Sequence, residues 1–199
     1  MGPADTAAYY DAHAQAFYDM TVDVDVRHLH RPFLAHLAPG AHILDAGCGS
    51  GRDSRHFLAA GFAVTAMEPC EGLASRAEAL IGQPVVRRRF AEVDWVEAFD
   101  GVWASASLLH VPKSEIDDAL ARLTRALKPG GMLYASFKHG TGERVRKGRF
   151  FNCYDEAAFA ALIAGHPALV PAGQGRTEDA RTAFKGEWWL NAYLIKRGG

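Results

Sequence analysis

The chain has 199 residues, of which 49% are hydrophobic and 23% charged, and this composition is ordinary for a globular protein. The length fits one domain with a sizeable core, so we expect a single domain over residues 1–199. A net charge of −1 gives no overall field that would draw the chain to nucleic acid or to a membrane. No apolar run approaches the roughly 20 residues of a membrane span, and the N-terminal sequence lacks the basic and apolar parts of a signal peptide. We therefore expect a soluble protein of the cytoplasm.

The cysteines and histidines do not follow the spacing of a disulfide framework or a metal site. Cys48, Cys70 and Cys153 are odd in number and form no C-x-x-C pair. His28 and His30 are two positions apart on a predicted helix, so their side chains point away from each other. The sequence therefore predicts no bound metal.

Residues 1–38 are predicted to form a helical cap that precedes the core, residues 40–199. The first helix, within residues 4–20, has one face of small and aromatic residues: Tyr10, Ala14, Phe17 and Tyr18. A second helix is expected from Asp25 to Leu37. Two interpretations of the first helix stay open. It packs on the core, or it caps the mouth of a pocket, where aromatic rings with hydroxyl tips suit a half-wet wall.

The predicted core begins with the stretch His42–Ser54, which reads H-I-L-D-A-G-C-G-S-G-R-D-S. Its apolar run predicts a buried strand, its alternate glycines a loop, and the residues that follow a helix ending near Gly61. Glycine allows positive φ and lets a ligand approach the backbone closely. The N-terminus of the following helix presents unpaired N–H groups to that ligand. The stretch is therefore a candidate ligand-binding loop.

Three kinds of nucleotide-binding loop can be compared with this stretch. The dinucleotide pattern G-x-G-x-x-G fails, because Arg52 or Ser54 stands at its third glycine. A P-loop needs Gly-Lys-Ser/Thr, whereas Arg52 and Asp53 follow Gly51. The sequence D-A-G-C-G-S-G closely resembles motif I of the class I S-adenosylmethionine (SAM)-dependent methyltransferases. The resemblance implies SAM as cofactor and S-adenosylhomocysteine (SAH) as product; a glycine turn without a ligand is the alternative.

Strand and helix patterns alternate from residue 42 to residue 137, which predicts a doubly wound parallel sheet. Further strands are expected at residues 62–68, 84–90, 99–105 and 132–138. The segment 187–196 resembles the antiparallel seventh strand of the same family, and residues 168–172 give only a weak strand pattern. We therefore expect an α/β, Rossmann-like, seven-stranded sheet, mostly parallel with an antiparallel strand near the C-terminus and helices on both faces.

The resemblance also implies which residues bind the cofactor. Glu68 ends the second strand, where a carboxylate can accept two hydrogen bonds from a ribose diol. An acid after the third strand is expected beside the adenine, with Glu92 preferred to Asp94. The full set of expected cofactor-binding residues is Asp45, Gly47, Cys48, Gly49, Gly51, Arg52, Asp53, Glu68, Pro69, Glu92, Val93 and Ser105.

The segment after the fourth strand, A-S-L-L-H-V-P, resembles the family segment that passes the reacting end of the cofactor. His110 is a candidate general base, since an unperturbed imidazole titrates near neutral pH, and a purely structural histidine is the alternative. Tyr10 and Tyr18 are the other candidate catalytic residues. A soft nucleophile such as a thiolate needs no strong base, whereas an oxygen or nitrogen nucleophile does.

A basic segment follows the fifth strand, from residue 138 to residue 151. It has five Lys and Arg residues and one acid: Lys138, Arg144, Arg146, Lys147, Arg149 and Glu143. It leaves the carboxyl edge of the sheet, where ligands bind in open α/β folds. It is either a solvated loop or a flap over an anionic or electron-rich substrate.

The expected function is SAM-dependent methyl transfer to a small molecule, through a soft S, Se or Te nucleophile or an O or N atom. The single-domain plan and the S-L-L-H-V-P and A-S-F-K segments are similar to small bacterial methyltransferases of the tellurite-resistance type. After the second strand, the sequence Glu68-Pro69-Cys70 departs from the Asp-x-Ser that is usual at this position in the family.

A non-methylating SAM enzyme and a SAM-binding protein without turnover are the alternative functions. The lack of an N/D-P-P motif and the near-zero charge disfavour a nucleic-acid substrate. The oligomeric state is open.

Overall fold

The computed structural model describes residues 3–198, so residues 1, 2 and 199 of the predicted domain lie outside the described range. The strands in chain order are β1 (His42–Ala46), β2 (Ala63–Met67), β3 (Val85–Val86), β4 (Phe99–Ala104), β5 (Leu127–Lys138), β6 (Gly142–Arg146), β7 (Arg149–Cys153), β8 (Leu169–Glu178) and β9 (Trp188–Lys196). The helices are α1 (Pro3–Ala12), α2 (Ala14–Thr21), α3 (Arg27–His36), α4 (Arg52–Ala59), α5 (Glu71–Ile81), α6 (Ile116–Ala126) and α7 (Glu156–Ala164). Short 3-10 turns lie at Phe90–Glu92, Leu108–His110 and Thr182–Phe184.

Seven strands form one sheet in the order β3-β2-β1-β4-β5-β9-β8. Strand β9 runs antiparallel to β5 and β8, while β1, β2, β3, β4 and β5 are parallel. The prediction of a mostly parallel sheet with an antiparallel strand near the C-terminus is therefore confirmed. The strand order reverses between β1 and β4, and ligands of open α/β sheets bind at such a reversal.

Apolar side chains cover both faces of the sheet, which explains the nearly continuous apolar runs of its strands. One face packs on α6 and α7 and includes Leu44, Val102 and Leu133. The other packs on α3 and α4, where Trp103 of β4 and Tyr134 of β5 stack with ring centroids 3.7 Å apart. The two layers hold the carboxyl ends of the parallel strands in fixed positions.

Three elements differ from the sequence expectation. The single N-terminal helix is two helices, α1 and α2, which separate at His13. The third strand has two residues instead of seven, because it forms the sheet edge and pairs only with β2. The weak strand pattern at residues 168–172 extends into the ten-residue strand β8.

The basic segment after β5 contains a two-stranded hairpin, β6–β7, separate from the main sheet. Helix α1 packs against it, where the Phe150 N–H donates a hydrogen bond to Thr6 Oγ1 over 2.9 Å. The hairpin and the N-terminal helices therefore lie together beside the main sheet. None of the helices within residues 3–198 has the length and apolar character needed to cross a membrane.

We expect Gly101→Ala to lower the free energy of unfolding by about 1–3 kcal/mol through overpacking. A Cβ at this position of β4 would lie 2.7 Å from Phe33 Cζ and 2.9 Å from Leu37 Cδ1, both near the α3 layer. Gly175→Ala, in β8, is the matched control, because a Cβ there meets nothing within 4 Å. Urea unfolding of the two variants measures the difference. Equal losses in both would contradict the described packing of α3 on β4.

Candidate functional site

A cavity of about 750 Å³ lies at the carboxyl ends of the parallel strands, and this volume is typical of a small-molecule site. One part of its wall is the loop after β1, the end of β2 and the segment 88–91. The other part comes from α1, the 3-10 turn after β4, the hairpin β6–β7 and residues between 177 and 191. The cavity therefore joins the predicted cofactor loop to the segment that carries His110.

The loop after β1 needs its glycines for conformation and for close packing. Gly47, Gly49 and Gly51 have φ values of +84°, +55° and +78°, a left-handed region that favours glycine. A Cβ on Gly47 would lie 2.5 Å from Ser107 Cβ, so no other residue fits against the loop after β4. A Cβ on Gly51 would contact Ala77 of α5 at 3.0 Å. Gly47 and Gly49 line the cavity, whereas Gly51 packs against α5.

The Glu68 carboxylate joins this loop to the end of β2. Its side chain is buried, with 6% exposure, and its two oxygens accept hydrogen bonds from the Gly49 and Cys70 N–H groups, each over 3.0 Å. Burial raises the pKa of Glu68 and the two hydrogen bonds oppose that shift. A carboxylate has about four acceptor sites, so each oxygen retains capacity for a further donor from the cavity.

Asp53 holds a buried charge beneath the loop. It accepts hydrogen bonds from Arg52 Nε over 2.7 Å and Trp103 Nε1 over 2.8 Å, and His30 Nε2 lies 3.1 Å away. Burial alone would raise its pKa, but Arg52 and His30 hold the pKa well below its usual range. The cluster fixes the start of α4 against β4.

Asp45 lies next to this charge and has the opposite electrostatic environment. Ser54 Oγ donates a hydrogen bond to its carboxyl over 2.6 Å, and no positively charged side chain within the described residues pairs with it. Burial, reinforced by the nearby negative charge of Asp53, raises the pKa of Asp45 to about 8. Asp45 is therefore mostly protonated at neutral pH.

His110 and Tyr10 meet at the cavity wall. The Nδ1 atom of His110 lies 2.7 Å from the Phe150 carbonyl oxygen, so Nδ1 carries the proton and donates it. The Nε2 lone pair accepts a hydrogen bond from the Tyr10 hydroxyl over 3.0 Å. Burial lowers the pKa of His110 to about 4, so the imidazole is neutral at pH 7. Burial also raises the pKa of Tyr10.

Charged residues form the wall at the carboxyl end of β5. Lys138 Nζ lies 2.9 Å from Asp179 and 2.7 Å from Glu187. Arg181 pairs with Asp179 over 2.7 Å, and Arg146 of the hairpin pairs with Glu187. This network, Lys138, Arg146, Asp179, Arg181 and Glu187, is termed the paired network below. It ties the hairpin to the segment between β8 and β9.

Most of the residues predicted for the site line this one cavity. They are Tyr10, Gly47, Cys48, Gly49, Arg52, Asp53, Glu68, Pro69, Ser105 and His110. Asp45 and Gly51 lie behind the loop and support it. Tyr18 does not line the cavity, since its neighbour Phe17 takes that face of α2.

Glu92 and Val93 also lie away from the cavity. The Glu92 carboxylate accepts the Arg89 N–H over 2.7 Å and so closes the 3-10 turn, while Val93 has 0% exposure and packs in the core. Asp94, the second choice, pairs with Arg88 instead. Phe90 and Ala91 line the cavity in their place. The sequence could not separate these positions, because the turn sets which of the consecutive side chains faces the cavity.

Sequence analysis missed the cavity-lining residues of β9 and of the segment between β8 and β9. Asp179, Glu187, Trp189 and Asn191 line the cavity from the β8–β9 end of the sheet. The only local pattern was a final strand with two tryptophans, which does not distinguish a cavity wall from a core strand. The site therefore spans the chain from Thr6 to Asn191.

The family model and the relatives that match this chain are all methyltransferases. A family model described as "Methyltransferase domain" matches residues 43–131. A demethylmenaquinone methyltransferase from Renibacterium salmoninarum is 31% identical over 180 residues, which cover 81% of this chain and 69% of that protein. A malonyl-[acyl-carrier protein] O-methyltransferase from Salmonella typhimurium is 32% identical over 162 residues, covering 79% of this chain and 62% of that protein. The chain thus spans about two thirds of these relatives.

A solved structure is similar over nearly the whole chain. It is the 1,6-didemethyltoxoflavin-N1-methyltransferase of Burkholderia thailandensis, with bound 1,6-didemethyltoxoflavin and SAH. The TM-score is 0.80 at 25% identity, and the match covers 98% of this chain and 87% of that chain. The similarity therefore includes the N-terminal helices and the C-terminal strands that the family model does not match.

We expect the free energy of unfolding of Asp45→Asn, taken relative to that of the wild type, to increase as the pH rises from 6 to 9. The folded-state pKa of about 8 lies above the unfolded value of roughly 4, so the native state holds the extra proton between these values. Between pH 6 and pH 9 the wild type therefore loses about 3 kcal/mol more stability than a variant without the carboxyl. Urea unfolding at pH 6 and pH 9 measures the difference.

Asp53→Asn is the contrasting variant. Because it leaves the partly buried Arg52 charge without its partner, we expect a loss of about 3 kcal/mol at pH 7. A pH-independent effect of Asp45→Asn would show that Asp45 is ionised throughout the range. A small loss for Asp53→Asn would contradict the described charge cluster.

Proposed function

We propose that this chain, which belongs to the family of SAM-dependent methyltransferases, transfers the methyl group of SAM to a small-molecule acceptor. The cofactor of the family is SAM, and its product is SAH. One observation carries the proposal: a single cavity contains the glycine loop with Glu68 and also the Tyr10–His110 pair. Cofactor and acceptor would therefore occupy the same enclosed space.

The residues present fit the cofactor. Glu68 keeps acceptor capacity on both oxygens and would bind the ribose hydroxyls. Gly47 and Gly49 have no side chain to block the backbone, and they would hold the methionine portion. Phe90 and Ala91 would contact the adenine in place of the predicted Glu92. When bound, SAM supplies a methyl group made electrophilic by the sulfonium.

The other predicted cofactor residues would have less direct roles. Five of them line the cavity and would shape its wall: Cys48, Pro69 and Ser105, together with Arg52 and Asp53 at the start of α4. Asp45 and Gly51 would act through the loop, because neither lines the cavity. Val93 would have no direct role, since it is fully buried in the core.

Tyr10 and His110 would contact the acceptor at the other end of the cavity. The Phe150 carbonyl fixes the tautomer of His110, and the Tyr10 hydroxyl occupies its Nε2 lone pair. With a pKa of about 4, His110 is a weak base, which suits an acceptor that ionises easily or needs no deprotonation. Leu109 and Phe151 complete an apolar wall that would exclude water from the reacting atoms. We assign no role to Tyr18.

A small-molecule acceptor fits the enclosure better than a polymer. Helix α1 and the hairpin cover the cavity, which leaves room for a molecule of metabolite size beside the cofactor. The Burkholderia thailandensis neighbour binds a small heteroaromatic compound with SAH, which supports the same class here. Four expectations from the sequence remain predictions: a cytoplasmic location, the similarity to tellurite-resistance methyltransferases, the absence of nucleic-acid substrates and the boundaries of a single domain.

We expect Glu68→Ala to weaken SAM binding roughly tenfold to a hundredfold, because the ribose diol would lose its charged acceptor. Glu92→Gln is the control and should change the dissociation constant by less than twofold, since residue 92 faces away from the cavity and the amide oxygen can still accept the Arg89 N–H that closes the turn. Calorimetric titration with SAM and with SAH measures both. If the effects are reversed, the adenine and ribose positions must be reassigned.

We also expect the wild type to bind SAM and SAH at micromolar concentrations and not to bind NADH, because the loop lacks the dinucleotide pattern. SAH release on a panel of small acceptors tests the reaction itself. Tight SAM binding without SAH release from any acceptor would favour the non-methylating enzyme or the binding protein. Failure to bind SAM and SAH would refute the proposal.

A further inference from the structure

Arg149, at the start of β7, has an unusual environment for a cavity-lining cation. Its guanidinium carbon lies 5.4 Å from the ring centroid of Tyr9, 6.0 Å from that of Tyr10 and 5.3 Å from that of Phe151. These aromatic faces hold the guanidinium in place through cation–π attraction. Its Nε atom is buried and has no hydrogen-bond partner. Among the described side chains, those of residues 6–198, no acidic group forms an ion pair with it.

The other cations on this wall are either neutralised by acidic partners or exposed to water. Lys138, Arg146 and Arg181 all belong to the paired network, in which Asp179 and Glu187 supply the negative charges. Arg144 and Lys147 also line the cavity, but their side chains are exposed on the hairpin and water solvates them. Arg149 therefore combines partial burial with the lack of an acidic partner among the described residues.

A half-buried guanidinium without an acidic partner is costly, and a ligand anion in the cavity would offset that cost. The guanidinium fork matches the two oxygens of a carboxylate, and pairing is stronger among apolar rings than in bulk water. Phe17, Leu109 and Phe151 give the surrounding wall an apolar character that suits a flat ring. Neutral His110 adds no competing charge beside Arg149.

We propose that Arg149 is the specificity-determining residue for the acceptor, and that the acceptor is a small aromatic carboxylate whose anionic group pairs with this guanidinium inside the cavity. The inference rests on the proposed function and deepens it, because it names the chemical class of the acceptor. It assigns Arg149 to binding and leaves the methyl-accepting atom elsewhere on the same molecule.

The test uses matched acids and amides, which have nearly the same shape and differ in charge. The probes are benzoate with benzamide, 4-hydroxybenzoate with 4-hydroxybenzamide, and nicotinate with nicotinamide. Binding to the full chain is measured by calorimetry at 0.15 M salt, with and without saturating SAH, so that long-range effects of exposed charges are screened. For the wild type we expect at least one acid to bind tenfold or more tightly than its amide.

Variants of two hairpin residues separate a specific contact from general charge. Arg149→Gln should reduce the preference for the acid to less than twofold, and Arg149→Lys should retain part of it. Lys147→Gln removes an exposed charge from the same hairpin and should leave the preference unchanged within twofold. Thermal unfolding checks that each variant is folded. If Arg149→Gln is not folded, the preference for the acid over its amide is compared between the wild type and Arg149→Lys instead.

Three results would overturn the inference: no acid binds below about 10 mM, the amides bind as tightly as the acids, or Arg149→Gln keeps the preference. These outcomes are distinguishable from failure of the proposed function. If SAM and SAH bind but no acid does, only the acceptor class is wrong. If the acids show the expected preference but SAH does not bind, methyl transfer is wrong and the anion site stands.

Discussion

The close contact between the loop after β1 and the loop after β4 is the constraint on which the site depends. Gly47 approaches Ser107 so closely that a Cβ would overlap it, and Ser107 Oγ donates a hydrogen bond to the Ala46 carbonyl over 2.6 Å. These two loops lie where the strand order reverses, so their contact sets the floor of the cavity. Through it, the residues proposed for the cofactor and the segment that carries His110 belong to one rigid unit.

Two buried carboxyl groups near this floor show how the fold separates charge. Asp53 is ionised because Arg52, Trp103 and His30 donate to it, while Asp45, next to it, has only the Ser54 hydroxyl. Two ionised carboxylates so close together would repel each other in a medium of low dielectric constant. The fold therefore keeps one negative charge where the strand ends and α4 begins, and it keeps the second acid neutral. A positively charged ligand in the cavity would favour ionisation of Asp45.

The fold was largely predictable, because each part of the main sheet rests on a local pattern. The apolar run and glycines of residues 42–54 specify β1, the loop and the start of α4 within 13 positions, and the alternating strands and helices imply a parallel sheet. The site was predictable only where it depends on these local motifs. The Tyr10–His110 contact joins residues 100 positions apart, and the turn at Phe90–Glu92 depends on hydrogen bonds that no periodicity reports. Long-range packing decided those positions.

The two interpretations of the N-terminal helix, packing and capping, describe the same contacts. Thr6 is buried against the hairpin, where its Oγ1 accepts a hydrogen bond from the Phe150 N–H, and Gly148 approaches the Tyr9 ring closely enough that a Cβ would lie 3.0 Å from it. The same helix contributes Thr6, Ala7 and Tyr10 to the cavity wall. The hairpin needs α1 to cover its inner face, because an isolated two-stranded hairpin is only marginally stable. Loosening α1 would therefore loosen the position of Arg149 and Phe151 as well, so stability and access to the cavity are coupled at this one interface.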